Sequence, residues 1–397
     1  MARALLVVLD SLGIGAAPDA DRFGDAGADT FGHIVERCSP RLPNLRALGL
    51  HAAHALAQGR EPTADERAGP VATWAAMRER STGKDTTSGH WEMCGVPVTF
   101  DWGYFTAREH SFPPALLDAL CVRAGLRGVL GNCRASGTEI LQRLGAEHIA
   151  TGQPIVYTSA DSVFQIAAHE THFGLDRLYG VCEIARELVD DYRIARVIAR
   201  PFVGEVAADF KRTGHRHDYA VPPTAPTLLD ALVAAGKSVI AIGKVSDIFA
   251  GQGISQSIPA SGLDALIDTT IRAFRDAPDD SLVFVNLVDF DSEYGHRRYV
   301  AGYAAALERF DARLPELMAT CRDGDLALFT ADHGNDPTWP GSDHTRECVP
   351  LLASGGRLRP GDAGLREGFA DLGQTLARHF GLAPLAHGRA LDCVAND

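Results

Sequence analysis

Several acids and imidazoles in this chain stand at the ends of apolar runs, and their types point to cation binding. Asp10 closes "ALLVVLD". Asp289, Asp291 and His296 follow "SLVFVNLV". Asp332 and His333 follow "DLALFT", and Asp343 and His344 come soon after in "GSDHTRE". One Asp after a strand is an ordinary turn former or helix cap. Two separate Asp–His clusters plus a third Asp are harder to account for that way. Carboxylate and imidazole donors without thiolates suit manganese or zinc and fit calcium poorly. Two such ions about 4 Å apart are a common device for phosphoryl transfer, since they neutralise phosphate oxygens and lower the pKa of a bound hydroxyl.

A hydroxyl for that chemistry is on offer in "GKDTTSGHWE" (83–92), which carries Thr86, Thr87 and Ser88 in a row. The opening "GKDT" imitates half of a phosphate-binding P-loop. That motif needs a Gly where Arg78 stands and a Ser or Thr where Asp85 stands, so the P-loop is excluded. A helix start is a second reading, because Asp, Thr and Ser are all good caps. A threonine hydroxyl is a poor nucleophile at neutral pH, but coordinated to a dication it can act as an alkoxide. The stretch alone leaves open which hydroxyl reacts. "GIGAAP" (13–18) is a weak near-match to a dinucleotide fingerprint, with Pro18 at its last position, and no such site is expected.

Elements must bring these residues together. Short apolar, β-branched runs lie at 4–10, 154–161, 195–203, 238–245, 281–291 and 325–334, bounded by Gly, Asp or Pro. Continuous apolar strands indicate a sheet covered on both faces. Helical patterns at 225–236, 262–274 and 299–321 separate them. This alternation implies a doubly wound α/β core, whose active site lies beyond the carboxyl ends of the strands. From about Thr99 to Tyr219 the strands are more polar, and "RTGHRHDYAVPPTAP" (212–226) reads as a linker. A smaller α/β cap domain inserted over 99–219 is therefore expected, leaving a discontinuous core of 1–98 plus 220–397.

The 397 residues favour two domains, and 46% apolar residues are ample for a core. A formal net charge of −13 argues against a nucleic-acid or anionic-membrane partner. The eight cysteines have no C-x-x-C spacing and suit a reducing cytoplasm. The apolar run in "MARALLVVLD" is too short for a secretory leader and ends in Asp10, and no run is long enough to span a membrane.

At this point the chain resembles the phosphopentomutases of the alkaline phosphatase superfamily, over essentially its whole length. The motifs are "GKDTTSGHWE", "YTSADSVFQIAAHE", "RVIARPFVG", "GKVSDIF", "NLVDFDSEYGHRR" and "TADHGNDPTWPGSDHTRE". Cofactor-independent phosphoglycerate mutases share the two-metal layout, but their "NSEVGH"-type nucleophile motif is absent. The resemblance implies an alkaline-phosphatase-like core and a division of ligands. Asp10, Asp332, His333 and the nucleophile hydroxyl would bind one manganese, and Asp291, His296 and His344 the other. The nucleophile is the hydroxyl residue three before the Gly of "GH", here Thr86, with Thr87 and Ser88 starting the helix behind it.

The implied reaction moves phosphate between C1 and C5 of ribose or 2-deoxyribose, in nucleoside catabolism. The threonine carries a phosphoryl group, a 1,5-bisphosphate forms and turns over, and its other phosphate returns to the threonine. Two Mn2+ (other divalent ions being possible) would be the cofactors, with glucose 1,6-bisphosphate or ribose 1,5-bisphosphate as activator. The partners are small pentose phosphates. The distal phosphate needs cations of its own, for which Arg196, Arg200, Lys211 and Lys244 are the candidates. Ser159 and Asp161 resemble the family's sugar contacts. Asp289, Asp336 and Asp343 are read as partners orienting the ligating histidines, and His90 as a structural hydrogen bonder. The alternatives are a phosphatase or sulfatase of the same fold, and an inactive sugar-phosphate-binding protein.

Overall fold

The computed structural model describes residues 2–67, 72–159 and 162–392. In chain order its strands are β1 (Arg3–Val8), β2 (Ala72–Met77), β3 (Leu130–Arg134), β4 (Ile155–Thr158), β5 (Val163–His169), β6 (Arg196–Val203), β7 (Lys211–Arg212) and β8 (His217–Ala220). Then follow β9 (Ser238–Ile242), β10 (Gln256–Ile258), β11 (Ser281–Asn286), β12 (Leu326–Thr330), β13 (Val349–Gly355) and β14 (Gly361–Arg366). The chain divides into two compact units, Met1–Phe100 with Pro223–Asp397, and Asp101–Pro222.

The first unit is built on an eight-stranded sheet of order β10-β9-β11-β1-β12-β13-β2-β14. β1, β9, β10, β11 and β12 run parallel, whereas β13 lies antiparallel to both β12 and β2. Every residue of β1, β2, β11 and β12 is buried, as a sheet covered on both faces requires. The α/β class read from the apolar runs is the class observed. The register explains why the acids meet. Val8 pairs with Asn286 on one side and with Thr330 on the other. The carboxyl ends of three neighbouring parallel strands are therefore level, and the segments carrying Asp10, Asp291 and Asp332 emerge side by side.

β2, β13 and β14 were not among the apolar runs. β2 is alanine-rich (ATWAAM), β13 contains Pro350, and β14 (GDAGLR) carries two glycines and two charges. Each lacks the β-branched signature that marks a strand in sequence.

The second unit has its own sheet, β3-β4-β5-β6-β7, with β8 also paired to β6. The helices Pro114–Ala124, Gly137–Thr151 and Leu175–Val189 belong to this unit. Its core comprises one cluster around Phe112, Phe164, Leu178 and Val197 and another around Ile140, Ile155 and Phe202. Among the described residues no helix is long and apolar enough to cross a membrane.

Candidate two-metal site

The "GKDTTSGHWE" stretch becomes a helix, Thr86–Met93, preceded by Asp85 as N-cap. Asp85 Oδ1 accepts from the Thr87 and Ser88 amides at 3.1 Å, and its Oδ2 accepts from the Ser88 hydroxyl at 2.7 Å. Capping and chemistry thus divide the stretch between them. Ser88 is spent on the cap, and Thr86 is the first helical residue, with Oγ1 3.2 Å from His333 Nε2. Of the first-turn amides that usually attract an anion, those of Thr87 and Ser88 are already taken by Asp85.

Glycine at 89 is required by a close approach. A β-carbon there would lie 2.1 Å from the Asp332 carbonyl oxygen. The neighbouring His90 is buried, with Nδ1 2.8 Å from the Thr86 carbonyl and 3.2 Å from Asp332 Oδ2. Both neighbours only accept, so Nδ1 carries the proton. His90 thereby ties the Thr86 turn to Asp332, which agrees with its structural reading.

Two donor groups assemble at the strand ends. Asp10, Asp332 and His333 form one, and Asp291, His333 and His344 the other, the donor atoms of each lying within 4.8 Å of one another. His296 joins the second group, with Nε2 3.1 Å from Asp291 Oδ2 and 3.2 Å from His344 Nε2. His333 reaches both groups, and its ring stacks on that of His344 at 3.9 Å.

Three features fit bound cations. Asp10 Oδ1 is buried without a hydrogen-bond partner, and Asp332 Oδ2 has only the 3.2 Å contact with the His90 donor, an arrangement that is costly unless something positive lies between the two carboxylates. The candidate ligand histidines have Nδ1 next to main-chain carbonyls: His296 to Ser342 (2.7 Å), His344 to Lys84 (3.0 Å) and His333 to Gly334 (3.1 Å). Their Nε2 lone pairs therefore point into the cleft, and those of His296 and His344 oppose each other. The third feature is the crowding of acids. Burial, then the Asp332 and Asp291 charges, push the Asp10 carboxyl well above its ordinary range. Burial opposes protonation of His344, yet the adjacent Asp291 overrides it and raises that imidazole to about 9. Both responses are those of a cluster short of positive charge.

The orienting carbonyls correct one expectation. Asp336 holds His33 Nδ1 at 2.6 Å, not a ligating histidine. Asp343 accepts from the His344 main-chain amide, and Asp289 Oδ2 has no hydrogen-bond partner. Residues absent from the sequence reading orient the carboxylates instead. Asn286 donates to Asp10 Oδ2 at 2.7 Å, and Asn335 donates to Asp291 Oδ1 at 2.6 Å. Arg298 in turn binds Asn335 Oδ1 and the carbonyls of Gly295, Gly341 and Asp343. An Asn beside a strand end has no distinctive sequence signal.

Lys244 follows β9, and its charge acts on Asp10. The other expected substrate contacts belong to the second unit. Ser159 accepts from Gln165 Nε2 at 3.5 Å, and Gln165 Oε1 accepts from Arg200 Nε at 3.0 Å. Burial and the charges of Arg216 and Arg212 lower Arg200 to about 10. Arg196 pairs with Asp218 at 3.7 Å. Lys211 is exposed, while its neighbour Arg212 lies against Gly137, where a β-carbon would meet Nη2 at 2.1 Å and Tyr157 Oη at 2.6 Å. The basic residues whose charges reach Arg200 are Arg216 and Arg212. Asp161 lies outside the described residues. In the same unit His169, His172 and Glu205 also come together. His169 cannot serve there, because Nδ1 accepts from the Thr171 and His172 amides and Nε2 faces the Gly204 carbonyl.

The model of the metalloenzyme superfamily matches residues 2–384. The chain is 60% identical to a phosphopentomutase of Chelativorans sp. (strain BNC1), over 98% of both chains. It is 58% identical to a phosphopentomutase of Sodalis glossinidius, over 98% of this chain and all of that one. Among solved structures, a phosphoglycerate mutase of Leishmania mexicana aligns with 98% of this chain and 97% of its own, at 14% identity and a TM-score of 0.44.

Proposed function

This chain belongs to the phosphopentomutases, isomerases within the metalloenzyme superfamily, and from that premise we propose that it interconverts the 1- and 5-phosphates of ribose and 2-deoxyribose through a phosphothreonine at Thr86. The observation that carries the proposal is the Thr86 hydroxyl, 3.2 Å from His333 Nε2 at the edge of the first donor group. Asp10, Asp332, His333 and Thr86 would hold one ion, and Asp291, His296 and His344 the other. Two Mn2+, or other divalent ions, bound there would neutralise phosphate oxygens and make the Thr86 hydroxyl acidic.

In the proposed cycle phosphorylated Thr86 presents its phosphoryl group to the free hydroxyl of the sugar monophosphate. The new P–O bond forms on the sugar as the Thr86 O–P bond breaks, giving the 1,5-bisphosphate. The bisphosphate then returns its other phosphate to Thr86. Glucose 1,6-bisphosphate or ribose 1,5-bisphosphate loads the threonine at the outset. His90 and the Asp85 cap hold the Thr86 turn still throughout. Lys244, and in the 101–222 unit Ser159, Asp161, Arg196, Arg200 and Lys211 or its neighbour Arg212, are assigned to the sugar and its distal phosphate. Arginine forks suit a phosphate dianion. We take that unit as the cap domain and the cytoplasm as the site of action.

The test is to treat the enzyme with glucose 1,6-bisphosphate and map the phosphoryl group by peptide mass. It should lie on Thr86, and its appearance on Thr87 or Ser88 would refute the assignment. Release of inorganic phosphate from ribose 5-phosphate faster than formation of ribose 1-phosphate would favour a phosphatase.

A further inference from the structure

We propose that Arg346 is a positioning residue for phosphoryl transfer, holding the backbone that presents Thr86 at a fixed distance from the metal-donor residues. The inference rests on Thr86 being the phosphoryl carrier. Arg346 follows the candidate ligand His344 by two residues, and its side chain is 2% exposed. All its guanidinium N–H groups are engaged. Nε and Nη2 clamp the Asp19 carboxylate at 3.0 and 3.1 Å. Nη1 donates to Glu79 Oε2 and to the Gly83 carbonyl, both at 2.6 Å. Nη2 also donates to the Glu79 carbonyl at 3.0 Å.

The two carbonyls bracket the strap that leads from β2 to the Thr86 helix. Glu92 of that helix also accepts from the Arg80 and Ser81 amides of the strap, at 3.0 and 2.6 Å. The Arg346 amide and Lys84 Nζ share Asp25 Oδ2, at 2.8 and 2.9 Å, and His344 Nδ1 lies 3.0 Å from the Lys84 carbonyl. The 344–346 segment thus grips the strap at Glu79, Gly83 and Lys84, while His344 Nε2 faces the donor cluster. One short piece of chain therefore sets both a ligand and the nucleophile turn. Arginine is required because its planar fork satisfies Asp19, Glu79 and Gly83 together, whereas a lysine ammonium is a single point. A small displacement of a reacting group costs turnover more than binding.

The test compares wild type, Arg346→Lys and Asp19→Asn as Mn2+-loaded enzymes on ribose 5-phosphate. Arg346→Lys should lower kcat by about a hundredfold while KM stays within about threefold, with bound Mn2+ per chain unchanged. Asp19→Asn, which loosens the clamp without removing it, should show the same pattern more weakly, and it decides the matter if Arg346→Lys does not fold. Wild-type kcat in the variant that folds would overturn the proposal, as would a fall in kcat matched by a loss of bound Mn2+. Phosphoryl mapping on wild type keeps the two ideas apart. A label away from Thr86 refutes the carrier, whereas a label on Thr86 with undiminished kcat in the variants refutes only the role of Arg346.

Discussion

The carbonyl oxygen of Asp332 occupies the space beside Gly89 where a β-carbon would otherwise sit, 2.1 Å from that position. The contact seats the Thr86 helix directly on the strand end that carries two of the candidate ligands. Thr86 and His333, 247 residues apart in the chain, meet because of it.

Gly89→Ala should therefore push the helix off the Asp332–His333 turn. Overpacking of this kind costs about 1–3 kcal/mol. The urea midpoint should fall accordingly, and turnover should fall further than the stability loss explains. A variant with the wild-type midpoint and kcat would show that the contact is slack.

Thr86→Ala removes only a part-exposed hydroxyl. Its melting temperature should stay near that of wild type, since the buried partner His333 Nε2 keeps Asp332 Oδ2 at 3.4 Å and Asp10 Oδ1 at 3.6 Å. Mutase turnover should fall by at least about a thousandfold, as expected when the acting group itself is removed, and no phosphoryl group should be retained after treatment with a bisphosphate sugar. Both can be read on one preparation, by coupled assay and by intact mass.

Asn335 and Asn286 each hold one oxygen of an aspartate whose other oxygen faces the cleft. Loss of such an orienting partner typically weakens metal binding by about 10–100-fold. Asn335→Ala should lower affinity at the Asp291 group, and Asn286→Ala at the Asp10 group. Calorimetric titration of chelator-stripped enzyme with Mn2+ should resolve the two effects as changes in different binding events.

Glu347 supplies a pH test away from the ligands. It is fully buried and accepts from the Thr30 amide and hydroxyl, the Thr345 hydroxyl and the Gly15 amide. Those donors favour the carboxylate, but burial prevails and lifts the group from 4.5 to about 7. The folded state binds this proton more tightly than the unfolded chain. The stabilising contribution is thus complete below about pH 4.5 and is lost as pH rises through about 7. Glu347→Gln should flatten the decline in melting temperature between those values, measured on both proteins in chelator. Parallel curves would refute the raised pKa.

The site and the fold were legible to different depths. The acids and imidazoles at 10, 289, 291, 296, 332, 333, 343 and 344 stand out because they terminate or closely follow apolar runs, the choice of ligands among them being what the family resemblance implies, and the α/β class follows from those runs. The antiparallel side of the sheet was not legible, since β2, β13 and β14 are rich in Ala, Gly and Pro and are strands only through their neighbours. The reading of Asp289, Asp336 and Asp343 as histidine partners failed for a related reason. Main-chain carbonyls do that work, and every residue has one, so no residue type marks them.

By itself, the sequence determined the pool of candidate donors, the strand-and-helix alternation and the stretch holding the hydroxyls, because these depend on residue type and local period. Only the tertiary structure decided that Asp85 accepts from the Thr87 and Ser88 amides while Thr86 faces His333. It also decided that His333 touches both donor groups, and that Arg346 grips the strap leading to Thr86. These relationships arise from level strand ends and from backbone groups brought together across hundreds of residues. Their energies depend on distance and burial, which a linear order of side chains does not contain.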